Sequence, residues 1–140
     1  METRALPSAI LETCLHVADL AQSRAFYTGL FAYSVLKGDD RFCAMATPAG
    51  QILILFQRGS DPLGTELPFG YIPPHGSTGE AHIGFSVPAS SLEAWRARLA
   101  AQGIEVESSF TWPAGGTSIY FRDPDKNLLE LLSPGVWPNY

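Results

Sequence analysis

The sequence predicts an α+β protein made of two strand–helix–three-strand modules, and three observations support this fold class. Thirteen glycines and eleven prolines divide the 140 residues into short segments, which is typical of strands joined by turns. Each half of the chain also contains one stretch with apolar residues at helical spacing. The halves repeat the same order of elements, which indicates a duplicated unit within a single domain. The expected boundaries are about 9–57 for module one, 58–79 for a linker and 80–134 for module two.

The first module is expected to begin with a strand over residues 9–17. Its alternation places Glu12, Cys14 and His16 on one face. Asp19 is the expected N-cap of a helix with the sequence LAQSRAFYTGLF, whose apolar residues form a stripe. Three more strands are expected near residues 33–37, 41–47 and 51–57, with turn residues between them.

The second module is expected to repeat this order, beginning with a strand at 80–87. A helix with the sequence LEAWRARLAAQ follows Ser91 and ends at Gly103, a typical C-cap residue. Strands follow near residues 104–110, 116–122 and 127–133. The connecting segment 58–79 has five glycines, four prolines and no periodicity, so we expect a long loop that joins the modules and partly covers a site.

Composition and charge exclude several functional classes. Nine Lys and Arg against fourteen Asp and Glu give a net charge of −5, which argues against nucleic acid or an anionic membrane as a partner. No apolar run approaches the roughly 18 residues of a spanning helix, and the N-terminus METRALPSAI lacks an apolar signal core. We therefore expect a cytoplasmic protein. Cys14 and Cys43 have no disulfide or zinc-site spacing and are expected to be buried thiols.

The repeat brings together residues that can bind a metal. ETCLHV aligns with HIGFSV at an offset of 70, and TPAGQILILFQ aligns with DPDKNLLELLS at an offset of 76. This makes Glu12 equivalent to His82, and Ile54 equivalent to Glu130. The sequence LLELL around Glu130 is apolar on both sides, and a glutamate facing inward there must be paired, protonated or metal-bound. Three of these four equivalent positions are able to bind a metal, which predicts a site.

The sequence resembles the vicinal oxygen chelate superfamily, which includes glyoxalase I, fosfomycin and bleomycin resistance proteins, and extradiol dioxygenases. The resemblance covers nearly the whole chain and is carried by ETCLHVADLAQSRAFYTGLF, AHIGFSVPASSLEAW and SIYFRDPDKNLLELLSPG in that order. It implies a glyoxalase-like fold, in which the mixed sheets of tandem βαβββ modules curl into a cup around a divalent metal. The metal positions of the family fall on Glu12, Ile54, His82 and Glu130.

The match to the family's metal positions is incomplete. The first position is commonly His in the family and is Glu12 here, while Ile54 replaces a glutamate that is usual in glyoxalase I. The resemblance therefore implies three ligands, Glu12, His82 and Glu130, as in fosfomycin resistance enzymes. This is not the His/His/Glu set of extradiol dioxygenases. Carboxylate-rich ligation suits Mn²⁺, Mg²⁺, Fe²⁺ or Ni²⁺, and Zn²⁺ is also compatible.

Four further residues are candidates for the substrate pocket, and each has a structural alternative. His16 lies roughly 13 Å along the strand from Glu12, too far to share one ion easily, so it is expected to line the pocket or the core. Tyr120 is either a pocket or a core residue. Arg122 either binds an anionic group of the substrate or forms a surface ion pair. His75 lies in the loop expected to cover the site, or is exposed to solvent.

These observations give one preferred function and two alternatives. The preferred function is a metal-dependent isomerase or lyase, or an enzyme that opens epoxides, acting on a small oxygenated molecule through a metal-stabilised oxyanion. The resemblance to glyoxalase I implies that a ligand glutamate takes a proton from carbon, with Glu130 the first choice and Glu12 the second. The alternatives are a metal-free drug-binding protein and an extradiol-type dioxygenase, which would need His16 as a ligand. The resemblance also implies a homodimer with metal sites possibly shared between chains.

Overall fold

The chain folds into two units of the same design, each with a four-stranded mixed sheet and one α-helix. The computed structural model describes residue 7 and residues 9–140. One unit ends at Thr78 and the other begins at Gly79. Most of the N-terminal segment that was expected to lack a signal core, residues 1–6 and 8, lies outside the described residues.

In the first unit, the sheet order is β1-β4-β3-β2, with β1 parallel to β4 and the other pairs antiparallel. A separate two-stranded hairpin, β5–β6, follows this sheet. The elements are β1 (Glu12–Val17), α1 (Leu20–Phe31), β2 (Ser34–Gly38), β3 (Phe42–Ala46), β4 (Ile52–Gln57), β5 (Thr65–Leu67) and β6 (Gly70–Ile72).

In the second unit, the sheet order is β7-β10-β9-β8, again with one parallel pair, β7–β10. A single 3₁₀ turn at Ala89–Ser91 leads into the helix. The elements are β7 (His82–Ser86), α2 (Leu92–Ala101), β8 (Ser108–Thr111), β9 (Thr117–Arg122) and β10 (Leu128–Leu132). The predicted fold class, α+β with tandem βαβββ modules, is confirmed.

Strand register relates the two units by the offsets found in the sequence. In the first unit Glu12 pairs with Ile52, and in the second His82 pairs with Leu128. His82 lies 70 residues after Glu12, and Leu128 lies 76 residues after Ile52. The residue equivalences that define the candidate site therefore hold in the backbone pairing.

The first helix forms where Asp19 and its apolar stripe predict it. The Asp19 side chain accepts a hydrogen bond from the backbone N–H of Gln22 at 3.0 Å, which satisfies one of the free amides of the first turn. The helix ends at Ala32, whose φ of 56° is left-handed. Its buried face carries Tyr27 and Leu30, both without solvent exposure.

The cores of the two units follow the strand alternation. In the first unit Leu15 and Val17 of β1 and Leu53 and Leu55 of β4 are buried, so Glu12, Cys14 and His16 share the other face of β1. In the second unit, β10 is buried on both faces over most of its length, as the LLELL sequence predicts. Cys43 is a buried free thiol and Cys14 is a half-buried one.

The hairpin β5–β6 lies inside the segment expected to be a loop. Its strands have only three residues each, which is too short for alternation to be recognised in the sequence. Gly64 precedes the hairpin with a φ of +85°, in a conformation that favours glycine. Among the described residues, no helix has the length and apolar character required to cross a bilayer.

Candidate functional site

Glu130 is a buried carboxylate at the middle of β10, with 6% of its surface exposed. Its chain neighbours Leu129 and Leu131 are fully buried on the opposite face of the strand. The strand is central in its sheet, because β7 pairs along one edge and β9 along the other. A carboxylate at such a position needs partners, since leaving one buried charge unpaired costs about 3–5 kcal/mol.

The two oxygens of Glu130 have different partners. Oε2 accepts a hydrogen bond from the hydroxyl of Ser118 at 2.5 Å, and that hydroxyl oxygen accepts one from the indole Nε1 of Trp112 at 2.7 Å. Oε1 lies 3.2 Å from Nε2 of His82. The carboxylate is therefore held on one side and faces an imidazole on the other.

The orientation of His82 determines what its Nε2 presents to Glu130. Nδ1 lies 2.9 Å from the carbonyl oxygen of Leu128, which only accepts, so Nδ1 carries a hydrogen and donates it. In the neutral ring, Nε2 then directs a lone pair at the carboxylate oxygen. Two lone pairs at 3.2 Å repel each other unless a cation, either a proton or a metal ion, lies between them. A backbone carbonyl fixing the tautomer in this way is typical of metal-binding histidines.

The donor atoms also fit a divalent metal by their spacing. Two neighbouring ligands that each bind an ion at about 2.1 Å are roughly 3 Å apart, close to the distance between His82 and Glu130. Within residue 7 and residues 9–140, however, no group of three or more His, Cys, Asp or Glu side chains is placed to hold an ion. The third expected ligand, Glu12, is exposed on β1 of the first unit.

A cavity of about 310 Å³ opens beside this pair. It is lined by His82, Gly84, Ser86, Glu130, Leu132, Trp137 and Tyr140. Its surface combines polar groups from the sheet with aromatic groups from the segment after β10.

Tyr120 lies next to this pair. Its ring stacks on that of His82, with centroids 6.3 Å apart, and on that of Phe110 at 5.9 Å. Partial burial raises the pKa of Tyr120, and a hydrogen bond with Glu130 raises it further. The phenol is therefore a neutral donor near the carboxylate at physiological pH.

Arg122 is held by acidic groups of the second unit. Its Nε donates to Glu107 at 2.7 Å, its guanidinium lies 3.5 Å from Glu80, and it also donates to the carbonyl of Lys126. The hydrogen bond from Arg122 lowers the pKa of Glu107. These contacts favour the ion-pair alternative for Arg122.

In the first unit, His16 contacts the segment predicted to cover a site. Its Nδ1 lies 3.1 Å from the hydroxyl of Ser77, and its Nε2 lies 3.0 Å from Nδ1 of His75. Its ring also stacks on Phe56, with centroids 5.7 Å apart. These residues line a cavity of about 390 Å³ together with Arg58 and parts of the connecting segment, residues 59–62, 64–65 and 72–78. Two of the predicted pocket residues, His16 and His75, are thus brought together.

We expect acidification to destabilise the wild-type protein more than the His16→Asn variant. Partial burial lowers the pKa of His16, and the positive charges of His75 and Arg58 lower it further. The unfolded chain therefore binds this proton more readily, so the free energy of unfolding is highest with neutral imidazole and falls as pH drops through the imidazole range. Urea unfolding midpoints at about pH 8 and about pH 5.5 measure the effect. An equal loss of stability in both proteins would contradict it.

Some residues of the site were not predicted as such. Ser118 carries no motif, and only the pairing of β9 with β10 brings this serine to Glu130. Ser77 approaches His16 only through the path of the connecting segment, whereas Phe56 faces His16 across the pairing of β1 with β4. In the sequence, the contact between Ser118 and Glu130 is indicated only by a serine within an apolar strand-like segment, and that is weak evidence.

Comparisons with known proteins agree on one family. The model of the Glyoxalase/Bleomycin resistance protein/Dioxygenase superfamily matches residues 9–131. A lactoylglutathione lyase structure from Agrobacterium tumefaciens is 32% identical, with a TM-score of 0.82, over 94% of this chain and 98% of that one. No curated protein sequence matched the chain.

Two more structures share the fold. A glyoxalase/bleomycin resistance protein/dioxygenase from Nocardioides is 27% identical, with a TM-score of 0.71, over 97% of this chain and 90% of that one. A fosfomycin resistance protein from Listeria monocytogenes, complexed with Mn(II) and sulfate, is 22% identical, with a TM-score of 0.69, over 94% of both chains. At that identity, the second likeness concerns the fold alone.

Proposed function

The chain belongs to the glyoxalase/bleomycin resistance protein/dioxygenase superfamily, and from that premise we propose that it is a divalent-metal-dependent enzyme. In this proposal His82, Glu130 and Glu12 bind the ion, and the reaction is an isomerisation or elimination on a small oxygenated molecule. The observation that carries the proposal is the 3.2 Å approach of His82 Nε2 to Glu130 Oε1. The Leu128 carbonyl orders this imidazole so that its free nitrogen faces the carboxylate.

The ligand set agrees with the chemistry of a catalytic metal. Two carboxylates and one imidazole suit Mn²⁺, Fe²⁺, Ni²⁺ or Mg²⁺, and they leave positions for oxygen atoms of the substrate. When bound, such an ion supplies Lewis-acid stabilisation of a developing oxyanion. The rest of the proposed mechanism depends on side chains of this chain.

The two glutamates are suited to different roles. Glu130 is buried and held at Oε2 by Ser118, so its position is fixed, as a permanent ligand requires. Glu12 is exposed on its strand and has more freedom to move. Although the sequence favours Glu130 as the proton acceptor, we assign that role to Glu12. A carboxylate that takes a proton from one carbon and returns it to the next completes an isomerisation without a further reactant.

The substrate class is proposed from the likeness to the Agrobacterium tumefaciens lactoylglutathione lyase. That likeness makes a thiol adduct of a 2-oxoaldehyde the first substrate to test. Ile54 is the main departure from glyoxalase I, because it removes one carboxylate from the family's set. An epoxide is the second substrate to test, since the three-ligand set resembles that of fosfomycin resistance enzymes.

Removal of metal is the experiment that tests this function. We expect chelator-treated protein to lose at least about ten-fold in activity on the methylglyoxal–glutathione hemithioacetal or on an epoxide, and to regain it with Mn²⁺, Fe²⁺ or Ni²⁺. Chelator-treated protein that receives Ca²⁺ is the control for non-specific ion effects. Full activity without metal, or metal content far below one ion per chain, would contradict the proposal.

A second candidate function is small-molecule binding without metal, and one observation favours it. The cavity of about 390 Å³ in the first unit has three ring systems on its wall, those of His16, Phe56 and His75. The net charge of −5 would favour a cationic aromatic ligand. Metal analysis distinguishes the two functions. The enzyme should contain about one metal ion per chain and lose it when Glu130 is substituted, whereas the binding protein should contain none.

We also propose that the protein is a homodimer whose metal sites combine residues of both chains. The support is the resemblance to the superfamily, which implies a homodimer with metal sites possibly shared between chains. In a dimer with two-fold symmetry, Glu12 of each chain would complete the site of the other.

A further inference from the structure

We propose that the segment after β10, residues 133–140, determines substrate specificity by placing Trp137 and Tyr140 opposite His82 and Glu130. The substrate class it selects has two neighbouring oxygen atoms at one end and a planar aryl or hydrocarbon body at the other. This inference rests on the proposed function, because it takes an ion bound by His82 and Glu130 as the place where the oxygens bind.

The segment is fixed to the sheet at its beginning. Ser133 donates its backbone N–H to the carbonyl of Thr117 at 3.0 Å, and its hydroxyl accepts the N–H of Thr117 at 2.8 Å. The carbonyl of Gly135 accepts the N–H of Gly116 at 3.1 Å. Gly135 has a φ of +111°, and a side chain there would collide with the backbone nitrogen of Gly116, so this close approach requires glycine.

The segment is also fixed at Tyr140. The phenol hydroxyl donates to the carbonyl oxygen of Leu132 at 2.9 Å and lies 3.3 Å from that of Val87, so its single hydrogen is shared between the end of β10 and the residue after β7. The backbone N–H of Tyr140 donates to the carbonyl of Trp137 at 3.2 Å. The turn that carries Trp137 is therefore closed by hydrogen bonds, and Trp137 lines the cavity.

The resulting cavity has a polar and an apolar part. The sheet contributes His82, Glu130 and Ser86, whereas Leu132, Trp137 and Tyr140 contribute apolar surface. Trp137 is 63% exposed although its backbone is ordered by these bonds. A large aromatic side chain that is exposed beside a polar pair is expected where a ligand packs against the aromatic ring. A ligand whose oxygens bind an ion at His82 and Glu130 would lay its body against the indole.

Two hydroxamates test this specificity, because they share the same pair of oxygens and differ in the attached body. We expect Mn²⁺-loaded wild-type protein to bind benzohydroxamate about ten-fold or more tightly than acetohydroxamate, as measured by calorimetric titration. In Trp137→Ala this ratio should fall to roughly three or less, while the affinity for acetohydroxamate changes less than about three-fold. Phe69→Ala removes another highly exposed aromatic ring, in the first unit, and should keep the wild-type ratio.

The outcomes separate this inference from the proposed function. If Trp137→Ala keeps the wild-type ratio, or if wild-type protein binds both hydroxamates equally, the inference is wrong while metal binding at the pair still stands. If wild-type protein binds neither probe with Mn²⁺ present, both the inference and the proposed function are wrong. A ratio lost equally in Trp137→Ala and Phe69→Ala would also overturn the inference.

Discussion

Replacing Glu130 by glutamine is expected to lower the affinity for Mn²⁺ about 100-fold or more. The substitution keeps the shape of the side chain but removes the charge of a buried carboxylate. Losing one partner of a buried charged pair costs about 2–5 kcal/mol, and 1.4 kcal/mol corresponds to ten-fold in affinity. Calorimetric titration of the metal-free proteins with Mn²⁺ measures this change.

The fold should survive this substitution. The glutamine oxygen is still able to accept the hydrogen bond that Ser118 donates to Glu130. The free energy of unfolding, measured in urea, should therefore change by no more than about 2 kcal/mol. Glu107→Gln is the matched control, because Glu107 is an exposed glutamate of the same unit, paired with Arg122. It should leave Mn²⁺ affinity unchanged. Equal metal binding by wild type, Glu130→Gln and Glu107→Gln would place the ion elsewhere.

Mixing two inactive variants is expected to restore activity if Glu12 completes the site of the other chain. Glu12→Gln and Glu130→Gln should each lose most of their metal binding. After exchange at equal concentration, about half of the dimers contain one chain of each variant, and one of the two sites in such a dimer is wild type. About a quarter of the wild-type metal sites should return, with the same fraction of activity.

Unmixed variants and a permanently mismatched pair provide the controls. Each variant taken alone through the same exchange procedure should stay inactive, and a mixture of Glu130→Gln with His82→Asn should also stay inactive. Those two substitutions affect ligands of one unit, so no mixed dimer contains an intact site. Recovery in this last mixture, or none in the first, would contradict sites shared between chains.

Much of the fold follows from short-range sequence patterns. Asp19 and its apolar stripe define a helix because capping and periodicity act within a few residues. The repeat predicts the register of both parallel strand pairs, since duplicated units pair their strands alike. The burial of Glu130 was likewise predictable, because its leucine neighbours fill both faces of a central strand.

Other features depend on contacts between distant parts of the chain. The His16–His75 contact joins residues 59 positions apart, and nothing local in either segment indicates it. Ser118 reaches Glu130 only because β9 and β10 are antiparallel neighbours. The proposed role of Trp137 depends on the hydrogen bonds that close its turn, and these bonds leave no local pattern in the sequence. The three-residue strands β5 and β6 are too short to give a pattern.

The fold by itself does not determine the reaction. Proteins of this superfamily carry different chemistries on one architecture, so the side chains of the site decide what is catalysed. In this chain those side chains are an ordered imidazole, a buried glutamate with a serine partner, and an aromatic wall from residues 133–140. This set of side chains also differs from that of glyoxalase I at Ile54, which occupies a position where glyoxalase I usually has a ligand.

Anomalous diffraction from crystals soaked in Mn²⁺ tests the metal site most directly. We predict one strong anomalous peak for each chain, about 2.1–2.3 Å from Nε2 of His82 and from Oε1 of Glu130, with the carboxylate of a Glu12 as the third protein ligand. A map with no peak at this pair, or with its only strong peak at other residues, would contradict a metal-dependent function at His82 and Glu130.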